Sequence, residues 1–294
     1  MRALIEGDEI AYAAGFSVEK THYLIYANGQ EEDGPMASFP YHKDMVEYCD
    51  RWGLVDGDDI TVGREKRVEP LKMALYNAKM IVNSLMKKGD ANSYTLFFSG
   101  KDNVREGVAN TPCMIKGEPV HGYKGNRDPG SKPVYIKEIK DYLKTNYQYE
   151  EMDGLEADDG CSINQWPVWD KKETIIVCKD KDLDMVPGMR YNVASKKLHF
   201  ITLEAACKNF YKQLLIGDKT DNIPGWKEFM GKSRNTPAQW NKAIDKLDNE
   251  KDIYYYILNL YEGNTDALYE VGNLIWMRQE RDQMYEPGRF YYEF

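Results

Sequence analysis

The chain has 294 residues and carries 39 lysine and arginine residues against 48 aspartate and glutamate residues, which gives a formal net charge of −9. A chain of this length can bury a large core and suffices for one large domain or for two of ordinary size. The acidic balance argues against a general binder of polyanions, although much of the negative charge lies in the acidic motifs described below.

Membrane, secreted and zinc-ribbon proteins are disfavoured by the residue pattern. No run of about 18 apolar residues is present, so no membrane span is predicted. The first residues lack the apolar stretch of a signal peptide. The five cysteines are scattered without a CxxC pair, and the four histidines show no ligand spacing, which suits reduced thiols. We therefore expect a cytoplasmic protein without a membrane partner.

Strands and helices are predicted to alternate along the first two thirds of the chain. Predicted strands cover residues 3–6, 22–27, 94–98, 174–178, 190–193 and 198–201, the last two forming a hairpin. Predicted helices cover residues 9–16, 39–52, 69–88 and 132–143, whereas residues 28–39 are predicted to be a loop. This alternation is typical of an α/β domain with a mostly parallel sheet.

From Thr202 onwards the pattern changes to helices. Thr202 is a favourable N-cap, and further helices are predicted over residues 203–215, 237–248, 251–261 and 265–280. We therefore predict an α/β domain over residues 1–202 and a mostly helical region over residues 203–294.

An acidic motif, Gly-Leu-Glu-Ala-Asp-Asp, occupies residues 154–159, just before a segment that is typical of a helix. Its spacing puts Glu156 and Asp159 on one helical face, with Asp158 beside them. Carboxylates this close repel one another, and a divalent metal ion neutralises them best. The alternative, an ordinary acidic helix N-terminus, stays open because acids are favourable there.

Three more pairs of acids have a similar spacing elsewhere in the chain: Glu6 with Asp8, Asp180 with Asp182, and Asp218 with Asp221. Each pair lies at a predicted strand end or in a turn. The first pair is equally compatible with a surface turn. Because parallel strands gather their C-terminal ends at one edge of a sheet, we expect these acids to converge. Oxygen ligands without His or Cys suit Mg²⁺ or Mn²⁺, and two such ions suit phosphodiester hydrolysis.

Residues 99–130 are polar and basic within an acidic chain. This segment and the helix after it carry these cations: Lys101, Arg105, Lys116, Lys124, Arg127, Lys137, Lys140 and Lys144. A long stretch without predicted structure inside a domain is usually functional or mobile. We interpret the segment as phosphate-binding because it precedes the acidic motif, and the alternative is a solvated, lysine-rich helix face.

The order of these motifs resembles the 5′→3′ exonuclease and flap endonuclease family, in particular phage exonucleases and the 5′-nuclease domain of bacterial DNA polymerase I. The resemblance is carried by the following residues: the acid-Gly-Asp at 6–8, Tyr-Lys-Gly-Asn-Arg at 123–127, Gly-Leu-Glu-Ala-Asp-Asp at 154–159, Lys-Asp-Lys-Asp-Leu at 179–183, and Gly-Asp-Lys-Thr-Asp-Asn-Ile-Pro-Gly at 217–225. It covers roughly three quarters of the chain, and it implies a PIN-like α/β domain with a helix-three-turn-helix module.

The resemblance also implies roles for individual residues. The first of two Mg²⁺ or Mn²⁺ ions is expected to be bound by the following acids: Glu156, Asp158 and Asp159, with Glu6 or Asp8 and with Asp180 or Asp182. Asp218 and Asp221 are expected to serve the second ion. Lys124 and Arg127 match residues that contact the scissile phosphate, and Arg105 is expected to assist them. Duplex DNA is expected to contact the helix-three-turn-helix module, where a K⁺ ion is also implied, at these residues: Lys219, Gly225, Lys227 and Lys232.

The chain departs from the family pattern at three places. Glu6 stands where the family usually has Asp, and Ser99-Gly100 stands where an Asp usually follows the strand at 94–98. These two departures put the metal geometry in question. Residues 226–232 replace the usual Gly-x-Gly hairpin, so the grip on a duplex is expected to differ. In addition to these three departures, the segment between Arg127 and Lys132 is too short for the helical arch of larger members.

The sequence therefore predicts a metal-dependent 5′→3′ nuclease of phage origin that acts on duplex ends, nicks and flaps of DNA, in replication or recombination. RNA primers in an RNA–DNA hybrid are a further expected substrate. Two alternatives remain: a PIN-type ribonuclease, and a catalytically impaired nucleic-acid-binding protein of the same fold. The sequence does not determine an oligomeric state.

Overall fold

A computed structural model of the protein describes residues 1–29, 32, 34–109, 114–115, 118–119, 123–128, 131–227 and 236–290. Lys116 and Lys232, which were predicted to bind nucleic acid, lie outside these ranges. None of the helices in the described ranges is both long enough and apolar enough to cross a membrane.

The strands are β1 (Arg2–Glu6), β2 (Glu19–Ala27), β3 (Ala37–Phe39), β4 (Ile60–Val68), β5 (Ser93–Ser99), β6 (Met114–Ile115), β7 (Glu118–Pro119), β8 (Tyr149–Met152), β9 (Thr174–Cys178), β10 (Gly188–Asn192) and β11 (Lys197–Ile201). The α-helices are α1 (Gly7–Phe16), α2 (His42–Trp52), α3 (Leu71–Lys88), α4 (Val104–Ala109), α5 (Ile136–Asn146), α6 (Ala157–Gln165), α7 (Leu203–Ile216), α8 (Pro237–Ile244), α9 (Glu250–Leu260) and α10 (Thr265–Ile275).

A six-stranded sheet has the strand order β11-β10-β9-β1-β5-β8, and only the β10–β11 pair is antiparallel among its pairings. Its central strands are short apolar runs with almost no exposed surface, as a parallel sheet covered on both faces requires. Leu4, Phe97 and Ile176 are examples, each at most 1% exposed. The predicted α/β fold with a central, mostly parallel sheet and additional helices is confirmed, as is the hairpin of β10 and β11.

The chain forms two compact units. The first comprises Met1–Glu9, Val82–Ser131 and Lys144–Phe294, and it contains the six-stranded sheet together with α6 to α10. The second comprises Ile10–Ile81 and Lys132–Leu143. The division into a catalytic domain over residues 1–202 and a helical region over residues 203–294 stays a prediction.

The second unit contains an antiparallel sheet of order β3-β2-β4 that the sequence analysis did not find. β3 lies inside the predicted loop 28–39, and β4 was missed altogether. β4 has the sequence Ile-Thr-Val-Gly-Arg-Glu-Lys-Arg-Val, and its last five residues are exposed. Because only the start of β4 is buried, the apolar alternation that reveals other strands is absent from most of its length. Its backbone is paired with β2 along nine residues.

The predicted N-cap at Thr202 is confirmed at the start of α7, where the Thr202 hydroxyl accepts a hydrogen bond from the Ala205 N–H at 3.1 Å. The helix predicted over residues 265–280 ends at Ile275 instead. The following segment is irregular, and Trp276, Tyr285 and Phe290 pack around Phe210. Burial of these rings against α7 stabilises the irregular path of the chain after α10.

Candidate metal centre and phosphate-binding residues

Two neighbouring parallel strands end at the same edge of the six-stranded sheet. β1 ends at Glu6 and β9 ends at Cys178, so the residues that follow each strand lie side by side. Burial raises the pKa of the Glu6 carboxyl well above its ordinary value, and the charges of neighbouring carboxylates raise it further: Asp158, Glu9, Asp180 and Asp8. Acids from three separate segments of the chain therefore converge here.

The N-terminus of α6 brings Asp158 to this edge. The Ser99 hydroxyl, at the end of β5, accepts a hydrogen bond from the Ala157 N–H at 3.1 Å and so fixes the start of the helix. Burial raises the pKa of Asp158 well above its ordinary value, and the charges of Asp159 and Glu156 add to the shift. The acid cluster thus favours the entry of positive charge.

The donor chemistry of this cluster fits a hard divalent cation, because the side chains are all carboxylates. Burial, followed by repulsion between the acids, raises the pKa values of Glu6 and Asp158. The cluster is not a ready-made cage. In the part of the chain that the structure describes, no three acidic, His or Cys side chains are arranged to hold one metal ion. Protein cations, described next, neutralise part of its charge instead.

Arg105 and Asp159 form a buried ion pair beneath the start of α6. Arg105 is 1% exposed and Asp159 is 0% exposed. The guanidinium donates to both oxygens of Asp159, at 2.7 and 2.8 Å, to Glu156 at 3.0 Å and to the Trp276 carbonyl at 2.8 Å. The metal role of Asp159 and the catalytic role of Arg105 stay predictions. Both side chains are buried inside the protein, where they form an ion pair with each other.

Lys124 and Arg127 lie above this pair and contact two of the predicted metal ligands. The Lys124 ammonium forms a very short ion pair with Glu156 and lies 3.7 Å from an Asp221 carboxylate oxygen. Arg127, with half of its side chain exposed, pairs with the other oxygen of Asp221. The Tyr123 hydroxyl, which has a single proton to donate, lies 2.7 Å from a Glu156 carboxylate oxygen and 3.1 Å from an Asp221 carboxylate oxygen.

This arrangement sets the protonation of Glu156 and Tyr123. Burial alone would raise the pKa of Glu156, but the charges of Arg105 and Lys124 outweigh it and lower that pKa. Burial and the Glu156 charge raise the pKa of Tyr123, which therefore remains a hydrogen-bond donor. Glu156 is ionised and available either to a lysine or to a metal ion.

Gln213 of α7 joins the acids after β9 to those in the turn after α7. Its amide donates to Asp182 at 3.0 Å and to Asp218 at 3.3 Å. The Lys181 ammonium lies 3.3 Å from Asp218, whose own side chain is 4% exposed. The second predicted group of acids is therefore brought together in space by a residue that the sequence analysis did not single out.

The turn over residues 217–225 is held closed by its backbone. Asp218 and Ile223 exchange two backbone hydrogen bonds of 2.7 and 2.9 Å. Gly217 has a φ of +72°, and a Cβ there would lie 2.4 Å from the Gly225 nitrogen, so both glycines are required by close backbone approach. Lys219 and Lys227, predicted to contact DNA, are both exposed beside this turn.

The two departures near the metal site have structural explanations. The Ser99 N–H donates to Asp8 at 2.9 Å, while its hydroxyl serves α6, so Ser99 links two acid-bearing segments. A Cβ at Gly100 would lie 2.5 Å from the Asp153 Cα, so no side chain fits there. Glu6 lies inside the acid cluster in spite of its greater length.

The lysines predicted to bind phosphate in and before the helix after residue 131 have different surroundings. Lys144 pairs with Glu151 at 2.9 Å and lies 5.2 Å from the Phe98 ring centroid. Lys137 is exposed on the second unit, as the alternative of a solvated helix face expects, and Lys101 is exposed on the first unit.

Sequence reasoning missed Arg190 and gave no separate role to Tyr123. Arg190 lies in the short strand Gly-Met-Arg-Tyr-Asn and is 0% exposed. A single charge within a buried strand must find a partner, and that signal was available in the sequence. Tyr123 precedes Lys124 in the basic motif, but nothing in the sequence indicated that its hydroxyl would reach two acids.

The acids after β9 make the stability of the metal-free protein depend on pH. Burial, followed by the charge of Asp180, raises the pKa of Asp182 from 3.8 to about 7. A raised folded-state pKa stabilises the fold fully below the unfolded value and loses that contribution as pH rises through the folded value. In EDTA, the free energy of unfolding should therefore fall between about pH 4 and pH 7.

Asp182→Asn should remove part of this loss and make the protein more stable than wild type at pH 8, by roughly 1–4 kcal/mol, because one pKa unit corresponds to about 1.4 kcal/mol. Urea unfolding in EDTA at several pH values measures it. Asp170→Asn, on an exposed turn, is the matched control. Equal slopes in the wild type and in Asp182→Asn would show that Asp182 does not carry the effect.

Comparison with known proteins identifies the fold. No family model matches this chain, and no curated protein matches it. It is similar to the D15 protein of bacteriophage T5 co-crystallised with metal ions, with 17% identity over 69% of this chain and 82% of that chain and a TM-score of 0.52. It is also similar to the T5 5′-exonuclease with bound zinc ions, with 18% identity over 68% and 80% and a TM-score of 0.50.

At these identities the likeness defines the class of fold. These two solved structures come from bacteriophage T5, and the likeness to 5′-exonucleases inferred from the sequence motifs is thereby confirmed at the level of the fold.

Proposed function

We propose that this protein is a metal-dependent 5′ nuclease that hydrolyses phosphodiester bonds of DNA, at duplex ends, nicks or flaps. The observation that carries the proposal is the convergence of carboxylates from β1, α6 and the β9 loop at one sheet edge, where burial and repulsion raise the pKa values of Glu6 and Asp158. The fold shared with the T5 5′-exonuclease supports it. A role in phage replication or recombination is part of the same proposal.

Two divalent ions, Mg²⁺ or Mn²⁺, are proposed to bind among the following residues: Glu6, Asp8, Glu156, Asp158 and Asp180 for the first ion, and Asp182, Asp218 and Asp221 for the second. Such ions supply an activated water and charge stabilisation at the attacking and leaving oxygens. Asp159 is proposed to position Glu156 through Arg105, because both of its oxygens accept from Arg105.

Lys124 and Arg127 are proposed to bind the scissile phosphate. Without nucleic acid, Lys124 pairs with Glu156 and Arg127 pairs with Asp221. A phosphate oxygen would replace those carboxylates as the partner of each cation, and the carboxylates would be released towards the metal ions. Substrate binding and completion of the metal sites are therefore expected to support each other.

The end of α7, the turn over residues 217–225 and the helical residues Trp226 and Lys227 are proposed to form the start of a module that grips duplex backbone. Exposed turn amides and Lys219 would bind phosphates away from the cut. A K⁺ ion bound by turn carbonyls is part of this proposal.

A catalytically impaired nucleic-acid-binding protein is the second candidate. It is favoured by Ser99 and Gly100 in place of an acid and by the protein cations that already pair with Glu156 and Asp159. A PIN-type ribonuclease is addressed by the same experiment, because it would prefer RNA.

The purified protein should be incubated with Mg²⁺ or Mn²⁺ and 5′-labelled duplex, nicked, flap, RNA–DNA hybrid and single-stranded RNA substrates. Release of short 5′ products from the DNA substrates, abolished by EDTA, is the expected result. Binding without cleavage in either metal would favour the impaired protein, and cleavage of RNA alone would favour the ribonuclease.

Lys124→Ala should lower the single-turnover cleavage rate by about 10²–10³-fold, because a donor aimed at developing phosphate charge contributes mainly in the transition state. Binding in Ca²⁺ should weaken much less. Lys219→Ala is the matched comparison. It should weaken DNA binding and make that binding less dependent on salt, whereas the single-turnover cleavage rate should stay unchanged. Equal losses of rate and affinity in Lys124→Ala would instead make Lys124 an ordinary backbone contact.

A further inference from the structure

Arg190, a fully buried arginine, lies beneath the loop that follows β9. It sits on β10, next to β9 in the sheet, and is 0% exposed. One guanidinium nitrogen donates a very short hydrogen bond to the Asp180 carbonyl, and the other lies 3.1 Å from an Asp184 carboxylate oxygen. The side chain therefore holds the loop at two points, one at each end of the stretch from Asp180 to Asp184.

The contacts of Arg190 also bear on Asp180 and Asp182, the two acids of this loop that are proposed to bind metal. Arg190 holds Asp180 through its backbone carbonyl and not through its carboxylate. The Asp182 N–H donates to an Asp180 carboxylate oxygen at 2.8 Å, and residues Asp182–Met185 form a 3₁₀ turn over the arginine. Arg190 thus holds the backbone that carries the Asp180 carboxylate and does not compete for that carboxylate.

Arg190 is the arginine that strand β10 contributes to this loop. His199 lies 3.7 Å from the same Asp184 oxygen, and no other cationic side chain is paired with this loop from β10 or β11 within the described residues. A buried charge of this kind is costly, and well-packed apolar residues often stabilise a fold equally well. Packing alone therefore does not account for an arginine at this position.

We propose that Arg190 is a positioning residue of the nuclease centre, which fixes the β9 loop so that Asp180 and Asp182 bind divalent metal. This proposal rests on the proposed function. Residues that orient ligands from behind typically change metal affinity or activity by about 10–100-fold when they are replaced.

The test is a titration of the full-length protein with Mn²⁺, read by electron paramagnetic resonance without nucleic acid, for Arg190→Met, Arg190→Lys and the wild type. Arg190→Met should bind Mn²⁺ at least about 10-fold more weakly. Arg190→Lys should fall in between, because lysine keeps the charge but cannot hold both anchor points. Arg2→Met is the matched control: Arg2 lies at the opposite end of β1, bonded to Asn164 at 3.0 Å, and its loss should leave Mn²⁺ affinity unchanged.

A thermal melt is recorded for each variant beside the titration. A folded Arg190→Met, or Arg190→Lys, with wild-type Mn²⁺ affinity overturns the proposal. If Arg190→Met does not fold, Arg190→Lys decides, since a native melt with weakened Mn²⁺ binding supports positioning. Wild-type protein that neither binds Mn²⁺ nor cleaves DNA refutes the proposed function itself, whereas wild-type binding and cleavage with an unaffected Arg190→Met refutes the role of Arg190 alone.

Discussion

Asp158→Asn is expected to abolish cleavage while it stabilises the metal-free protein. Asp158 is a proposed metal ligand whose pKa is raised by burial and by the charges of Asp159 and Glu156. Asparagine keeps the size and one acceptor oxygen, which can still receive the Asp159 N–H now bonded at 2.7 Å. Loss of a metal ligand should lower the single-turnover rate by at least about 10³-fold, because charge stabilisation by metal is worth several kcal/mol.

The same change should raise the melting temperature in EDTA, since it removes one of several mutually repelling charges. In Mg²⁺ the advantage should shrink or reverse, because the wild type gains stability from the ion and the variant does not. Asp153→Asn, on the exposed turn before the acidic motif, is the control and should leave both readouts unchanged. Wild-type cleavage by Asp158→Asn would refute its assignment as a metal ligand, and a lower melting temperature in EDTA would refute the repulsion.

Arg105→Met is expected to destabilise the protein by about 3–5 kcal/mol, the usual cost of leaving one partner of a buried ion pair uncompensated. Asp159 would keep a negative charge at a position that is 0% exposed, and the Trp276 carbonyl would lose its donor. Since Trp276 begins the irregular C-terminal segment, limited proteolysis should cut that segment sooner in the variant. Urea unfolding measures the loss of stability.

A double-mutant cycle separates the ion pair from general packing. Arg105→Met combined with Asp159→Asn should recover part of the stability, because the buried charge is then removed as well. Arg127→Met is the control, since the Arg127 side chain is half exposed and its ion pair with Asp221 should contribute at most about 1 kcal/mol. If Arg105→Met lowered the free energy of unfolding by less than about 1 kcal/mol, the Arg105–Asp159 ion pair would not stabilise the fold as expected. Strict additivity of the two substitutions in the cycle would contradict the expectation in the same way.

The sequence by itself determined five of the six strands of the central sheet, all but β8, and the placement of several acids at one edge of it. Buried parallel strands are short apolar runs, so β1, β5 and β9 could be located from residue pattern alone. The positions of Glu6 and Asp180 then follow, because parallel strands end at the same edge. Thr202 marked the start of α7 through a local hydrogen bond, which needs no tertiary context.

Local pattern failed where exposure or tertiary packing decided the backbone. β4 carries charged residues on an exposed strand, so only its pairing with β2 reveals it. The last predicted helix stops at Ile275 because the rings after it pack on Phe210. In both cases the decisive partner lies far away along the chain.

Only the tertiary structure decided which charges are neutralised inside the protein. Arg105 meets Asp159 across 54 residues and the Trp276 carbonyl across 171, and no local spacing predicts either contact. The same is true of Gln213, which joins Asp182 to Asp218 across the loop and the turn. A residue type tells which charge is present, but whether that charge faces a metal ion, a phosphate or another side chain depends on burial, and burial is a property of the assembled fold.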